Sequence, residues 1–171
     1  GIGLIAPKPM GSVPDDEEKL VRIKSENFTQ PQAKLKAIWE DDRIDSCCSE
    51  MENIQMVMEN SAAAMDSTPL AMKEFLQLNR LAALTAPSYC QGCRHLCENR
   101  IDGEVNVADT LRYLMYHESY GDPDKGREAY QRLSAAERNL DGIDFSRASH
   151  ACPQGIDISA KLSRAKRLLS S

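Results

Sequence analysis

Three cysteines, Cys90, Cys93 and Cys97, fall close together, and a fourth, Cys152, stands far along the chain directly before Pro153. This Cys-x2-Cys-x3-Cys loop with a remote Cys-Pro constrains the chain more than any other feature. Four thiolates suffice to hold one four-iron, four-sulfur cluster, one per iron. The short gaps let three sulfurs converge from one loop, where Gly92 permits the turn and exposes backbone N–H groups toward the cluster's sulfide. Pro153 ends the second loop, removes a donor and fixes the chain direction. A helix from about Asp157 then leaves the site. The pattern differs from the bacterial C-x2-C-x2-C-x3-C-P run in its second gap and in its displaced fourth ligand. Residues 98–151 form a helical insert between the loops, tolerable because loop-closure entropy grows only slowly with length. Three other readings stand beside this one. The first is a four-cysteine zinc site stapling a helical interaction module, although zinc usually takes two Cys-x-x-Cys knuckles. The others are a disulfide pair and four unrelated buried cysteines.

The remaining candidates are weaker. Cys47 and Cys48 fall in an expected strand, on opposite faces, and read as small buried hydrophobes. His95, between two ligands, reads as a polar residue at the rim of the site, with ligation as the alternative. His150, two residues before Cys152, is near enough in sequence to contact a ligand. His117 has no evident partner. Lys161, Arg164, Lys166 and Arg167 form the basic face of the last helix, a solvated face or a docking surface for an acidic redox partner.

Composition narrows the class. With 42% hydrophobic residues and a net charge of −5 over 171 residues, the chain has apolar material for a core and no basic surplus for nucleic acid. No apolar run approaches the roughly 18–20 residues of a membrane span, and no targeting segment is visible. Six cysteines are too sparse for a small disulfide scaffold. Thiols destined for a cluster must escape oxidation, so a cytoplasmic location is expected.

Hydrophobic patterning divides the chain. Residues 2–7 are nearly all apolar, as in a strand of a parallel sheet buried on both faces. A chain that opens inside such a strand is expected to continue from a larger front part; a short edge strand in a small complete domain is the alternative. A turn at 8–11 and a polar loop at 12–28 follow. Thr29-Gln30-Pro31 signals a helix start, running to about Asp41 and burying Leu35, Ile38 and Trp39. Residues 44–49 read as a second strand. Asn53 caps a helix that buries Ile54, Val57 and Met58, and Thr68-Pro69 starts another through about Leu84, with Met72, Phe75 and Leu76 at helical spacing. This strand–helix–strand–helix rhythm belongs to a βα-repeat sheet or barrel. It stops near residue 85. Beyond Thr85-Ala86-Pro87 only helices are expected. Val107, Leu111, Leu114 and Met115 share one face behind an Asn106 cap. A second helix covers 124–133, and a third, over 158–169, carries the stripe Ile158, Leu162, Ala165 and Leu169.

Taken in order, these stretches resemble the C-terminal part of an aldo/keto reductase of the iron–sulfur-bearing kind. Residues 1–11, with Lys8-Pro9-Met10-Gly11, resemble the seventh barrel strand and its turn. Residues 44–51 resemble the eighth strand, and Asn53 through Ala63 the final barrel helix with its Glu-Asn pair. Tyr89 through Cys93, Arg112 through Tyr116 and Cys152 through Ile158 resemble the cysteine-bearing extension. The resemblance implies an α/β fragment of a (β/α)8 TIM barrel, strands 7 and 8 with their helices (residues 1–85), followed by an all-helical 4Fe-4S domain (residues 86–171). It further implies a parent oxidoreductase using NAD(P), with Glu59 and Asn60 at the adenine side of the cofactor and Lys8 and Met10 at its pyrophosphate loop. Glu50 stands where the family usually has Gly, and a carboxylate there repels a 2′-phosphate. The family's catalytic Asp, Tyr, Lys and His lie on earlier strands, so this chain carries none of them. Its implied partners are the N-terminal barrel half and a redox protein.

Overall fold

The computed structural model describes residues 2–7 and 25–170. Among these the chain divides into two compact units that part between Ala82 and Ala83, a few residues before the expected boundary.

The first unit follows the expected order: β1 (Ile5–Pro7), α1 (Gln30–Trp39), β2 (Ser46–Cys48), α2 (Ile54–Met65) and most of α3 (Met72–Thr85). The strands pair in parallel, with Ile5 opposite Ser46 and Pro7 opposite Cys48, as a crossover through a helix allows. Asp45 lengthens the pairing: its carboxylate accepts from Leu4 N at 2.7 Å. Thr29 caps α1 in a reciprocal box with Gln32, with Pro31 in the first turn, so this start is as the sequence indicates. The helix buries Ala33, Leu35 and the stem of Lys36. The Lys36 ammonium donates to Asp66 O and lies 5.2 Å above the Phe28 ring. Asn53 caps α2 through Met56 N at 2.9 Å. The last helix begins at Met72, later than expected. Asp66 and Glu40 take the amides of Thr68 and Leu70, holding that stretch as a turn, and Glu74 accepts from Ala71 N at 2.7 Å.

Burial in this unit departs from expectation. Ile54 is 75% exposed, Met58, Met72 and Leu76 are more than half exposed, and Val57, Phe75 and Trp39 are exposed as well. Ile38 is half-buried. Strand β1, expected to be covered on both faces, leaves Ile5 64% exposed. Cys47 is half-buried and Cys48 exposed, so neither is a core residue. The cause is physical. A two-stranded sheet has two edges and little surface, so it cannot cover the apolar stripes of three helices.

The second unit has no strand among its described residues. It comprises α4 (Arg94–Cys97), α5 (Val107–Glu118), α6 (Pro123–Gln131), α7 (Ser146–Ala151) and α8 (Ile158–Leu169), with 3-10 turns at Ala86–Ser88 and Glu98–Arg100. Here the expected stripes are buried: Val107, Leu111, Leu114 and Met115 on α5, and Ile158, Leu162, Ala165 and Leu169 on α8. They build two adjoining cores. One adds Phe145, Ala148 and Ile156 to Val107, Leu111, Ile158 and Leu162; the other joins Leu114, Tyr130, Leu133, Ala165 and Leu169. Asn106 caps α5 through Asp109 N, and Asp157 caps α8 through Ala160 N. Among the described residues no helix is long and apolar enough to cross a membrane.

Helices α5 and α6 meet at Gly126. A Cβ there would stand 2.7 Å from the backbone oxygen of Tyr113, inside van der Waals contact with an atom that cannot rotate away. Alanine is better than glycine in a helix by about 1 kcal/mol, yet Gly126→Ala is expected to destabilise the protein by about 1–3 kcal/mol, the usual cost of overpacking. Urea unfolding of the two proteins decides it: a midpoint for the variant equal to or above the parent's contradicts this packing.

Candidate metal centre

The first cysteine loop leaves the turn at Ala86–Ser88 and reaches Cys90 in extended backbone. Gly92 has φ +76°, a region that strains any residue with a side chain. Its carbonyl accepts from Arg94 N at 2.9 Å, and its N–H faces the Cys90 sulfur. Cys93 is the N-cap of α4 and Cys97 its last residue. That spacing of four puts both on one side of a single helical turn. The Cys97 thiol lies 3.5 Å from Arg94 O.

The second loop is a tight turn. Cys152 ends α7, and its carbonyl accepts from Gly155 N at 3.0 Å. Pro153 takes the second position of this turn and Gly155, at φ +65°, the fourth, which matches the preferences of a hydrogen-bonded β-turn. Ser149 Oγ accepts from Ile158 N at 3.1 Å, tying the end of α7 to the start of α8 across the loop.

Cys90, Cys93, Cys97 and Cys152 line one small cavity of about 20 Å³, whose wall includes Ala108, Leu111, Ile156 and Ile158. Cys90, Cys97 and Cys152 also pack against the core formed by α5 and α8. The loops distant in sequence are thus brought together. All four thiols are free and half-buried. Among the described residues, no group of three His, Cys, Asp or Glu side chains is arranged to hold a metal ion directly.

The first loop is held by an ionic network that sequence reasoning missed. Arg94 donates through Nη2 to Asp109 Oδ2 at 2.8 Å and to Asn106 Oδ1 at 2.9 Å. Its Nε lies 3.5 Å from Glu98 Oε2. Glu98 in turn accepts from Ala108 N at 3.0 Å, taking one of the free amides at the start of α5. The Arg94–Glu98 spacing of four within a cysteine-rich turn was the available signal.

The donor set fits a thiolate-held metal group: four thiols, an apolar wall, and a backbone N–H aimed at one sulfur. Burial pushes the Cys90 thiol up. Burial, and secondarily the Glu98 carboxylate, push Cys97 up from 9.0 to about 11. A metal held by these two sulfurs would have to displace their protons at neutral pH.

None of the three histidines lines this cavity. His95 and His150 are exposed and His117 half-buried. The His150 ring nitrogen Nδ1 sits 2.8 Å from Ser146 O, and the residue borders a separate open cavity beside Asp144 and Asp157. On α2, the Glu59 carboxylate accepts from the Thr29 hydroxyl, and its backbone oxygen accepts from Gln32 Nε2 at 3.0 Å. Asn60 donates to Ser49 Oγ at 3.3 Å. Glu59 and Asn60 thus brace α2 against the start of α1 and the end of β2. Lys8 and Met10 lie outside the described residues. No family model, curated protein or solved structure matches the chain.

A consequence of the raised Cys97 thiol can be measured in the metal-free, reduced chain. Because the thiolate is the nucleophile, alkylation of Cys97 by iodoacetamide, followed by mass spectrometry across pH, is expected to have its midpoint near 11 rather than 9.0. Glu98→Gln should lower that midpoint only partly, since burial is the larger cause. A midpoint at or below 9.0 in the parent chain contradicts the geometry.

Proposed function

We propose that the second unit binds one 4Fe-4S cluster through Cys90, Cys93, Cys97 and Cys152, and that the chain is the iron–sulfur part of an aldo/keto reductase-like oxidoreductase. The observation that carries this is the meeting of four free thiols, from loops far apart in sequence, on one cavity with an apolar wall. A single tetrahedral zinc ion, with zinc–sulfur bonds of about 2.3 Å, draws neighbouring thiolates to roughly 3.8 Å from one another. A 4Fe-4S cluster would draw on the same four thiolates, one per iron, and differs from zinc in the sulfide it carries. When bound, such a cluster takes up or releases single electrons. The chain's own part is to supply the thiolates, to keep water from them with Ala108, Leu111, Ile156 and Ile158, and to direct the Gly92 N–H at sulfur, all of which bear on potential.

The first unit supports the wider reading. Its parallel strands, joined through α1 and followed by α2, have the local order of a (β/α)8 barrel, and the uncovered stripes of α2 and α3 are the faces that further strands and helices would bury. In that reading the parent binds NAD(P) through Lys8, Met10, Glu59 and Asn60, its remaining barrel half is the chain's first partner, and a redox protein in a reducing compartment is its second.

Anaerobic reconstitution with ferrous iron and sulfide tests the cluster. The full chain is expected to hold about four irons and four acid-labile sulfides, with broad visible absorption that dithionite bleaches. Cys152→Ser should lose most of the bound iron while far-ultraviolet circular dichroism keeps its helical signal. Stoichiometric zinc with no sulfide, or unchanged iron in the serine variant, would overturn the proposal.

A further inference from the structure

Of the cations nearest the cysteine loops, most are neutralised by carboxylates. Arg94 is held by Glu98 and Asp109. Lys161 and Arg164 on α8 are held by Glu118. Arg112, like Arg100 and Arg147, has no carboxylate ion pair among the described residues, and its guanidinium is placed at Gly92 of the first cysteine loop. It stands on α5 one turn beyond Ala108 and next to Leu111, two residues that wall the cysteine cavity, so it emerges at the cavity's edge. Its Nη2 lies 3.4 Å from the position a Cβ would take on Gly92. The guanidinium is therefore packed against the turn that follows Cys90.

We propose that Arg112 sets the reduction potential of this site: its guanidinium, seated over the Cys90–Gly92 turn, stabilises the added negative charge when the cluster takes up one electron. The inference rests on the cluster reading above. The step is a pure electron transfer. One electron enters from an external one-electron reductant such as dithionite, which is oxidised, and no bond to the protein forms or breaks. A fixed positive charge favours the more negative of the two states. Glycine at 92 serves this arrangement by its positive φ. Because Arg112 is exposed, its influence is open to screening by salt.

Arg112 acts through charge on the cluster and is a positioning residue in this scheme. Redox titration of the reconstituted full chain, followed by visible absorption, tests it with the variants Arg112→Lys, Arg112→Gln and Arg112→Glu. The lysine variant should keep a midpoint close to the parent's. The glutamine variant should shift it negative by up to about tenfold in the reduction equilibrium, which is about 59 mV for a one-electron couple, and the glutamate variant further. The parent–glutamine difference should shrink as salt is raised. A parent chain that takes up no iron and sulfide overturns the cluster reading and this inference with it. A loaded cluster that dithionite does not reduce, whose midpoint ignores residue 112, or whose midpoint falls as far with lysine as with glutamine, overturns this inference alone.

Discussion

The packing of α5 against α8 is the constraint on which the rest of the helical unit depends. The stripe from Val107 to Met115 and the stripe from Ile158 to Leu169 are both buried, in cores they share. Burying side chains of this size contributes about 1.5–3 kcal/mol each, far more than any single polar contact nearby. Because Cys152 lies just before α8, and the first cysteine loop is fastened to the start of α5, pressing the two helices together also presses the two loops together. The thiol cavity is a by-product of hydrophobic packing.

The two units contrast in how far each satisfies itself. In the helical unit the large apolar side chains of α5 and α8 are covered. In the α/β unit Ile2, Leu4, Ile5, Ile54, Met58, Met65, Met72 and Leu76 are all more than half exposed. The polar devices of that unit are nevertheless complete: Thr29 and Gln32 cap α1, Asn53 caps α2, and Lys36 reaches Asp66. Local hydrogen bonding is settled there while the apolar faces await cover.

What could be read from the sequence followed these physical lines. Caps at Thr29, Asn53 and Asn106 and the limits of α8 were legible because they depend on neighbouring residues. The stripes of α5 and α8 were legible because both faces find partners within the same unit. The covering of Ile54, Val57 and Phe75 was misjudged because periodicity tells which face is apolar and not what meets it. The grouping of the four cysteines was legible from spacing and from the Cys-Pro step. Arg94, Glu98 and Arg112 were not singled out, since a charged residue on a helix looks the same whether it faces solvent or braces a loop.

The fastening of the two cysteine loops is unequal. The loop bearing Cys152 is clamped from behind by buried Ala148, Ile156 and Ile158. The loop bearing Cys90, Cys93 and Cys97 packs against the same core through Cys90 and Cys97 and is tied besides by Arg94, whose side chain is half exposed. Contacts of that kind weaken with salt while buried apolar contacts do not. Raising the ionic strength is therefore felt first by the loop that Arg94 holds, and hardly at all by the turn behind Cys152.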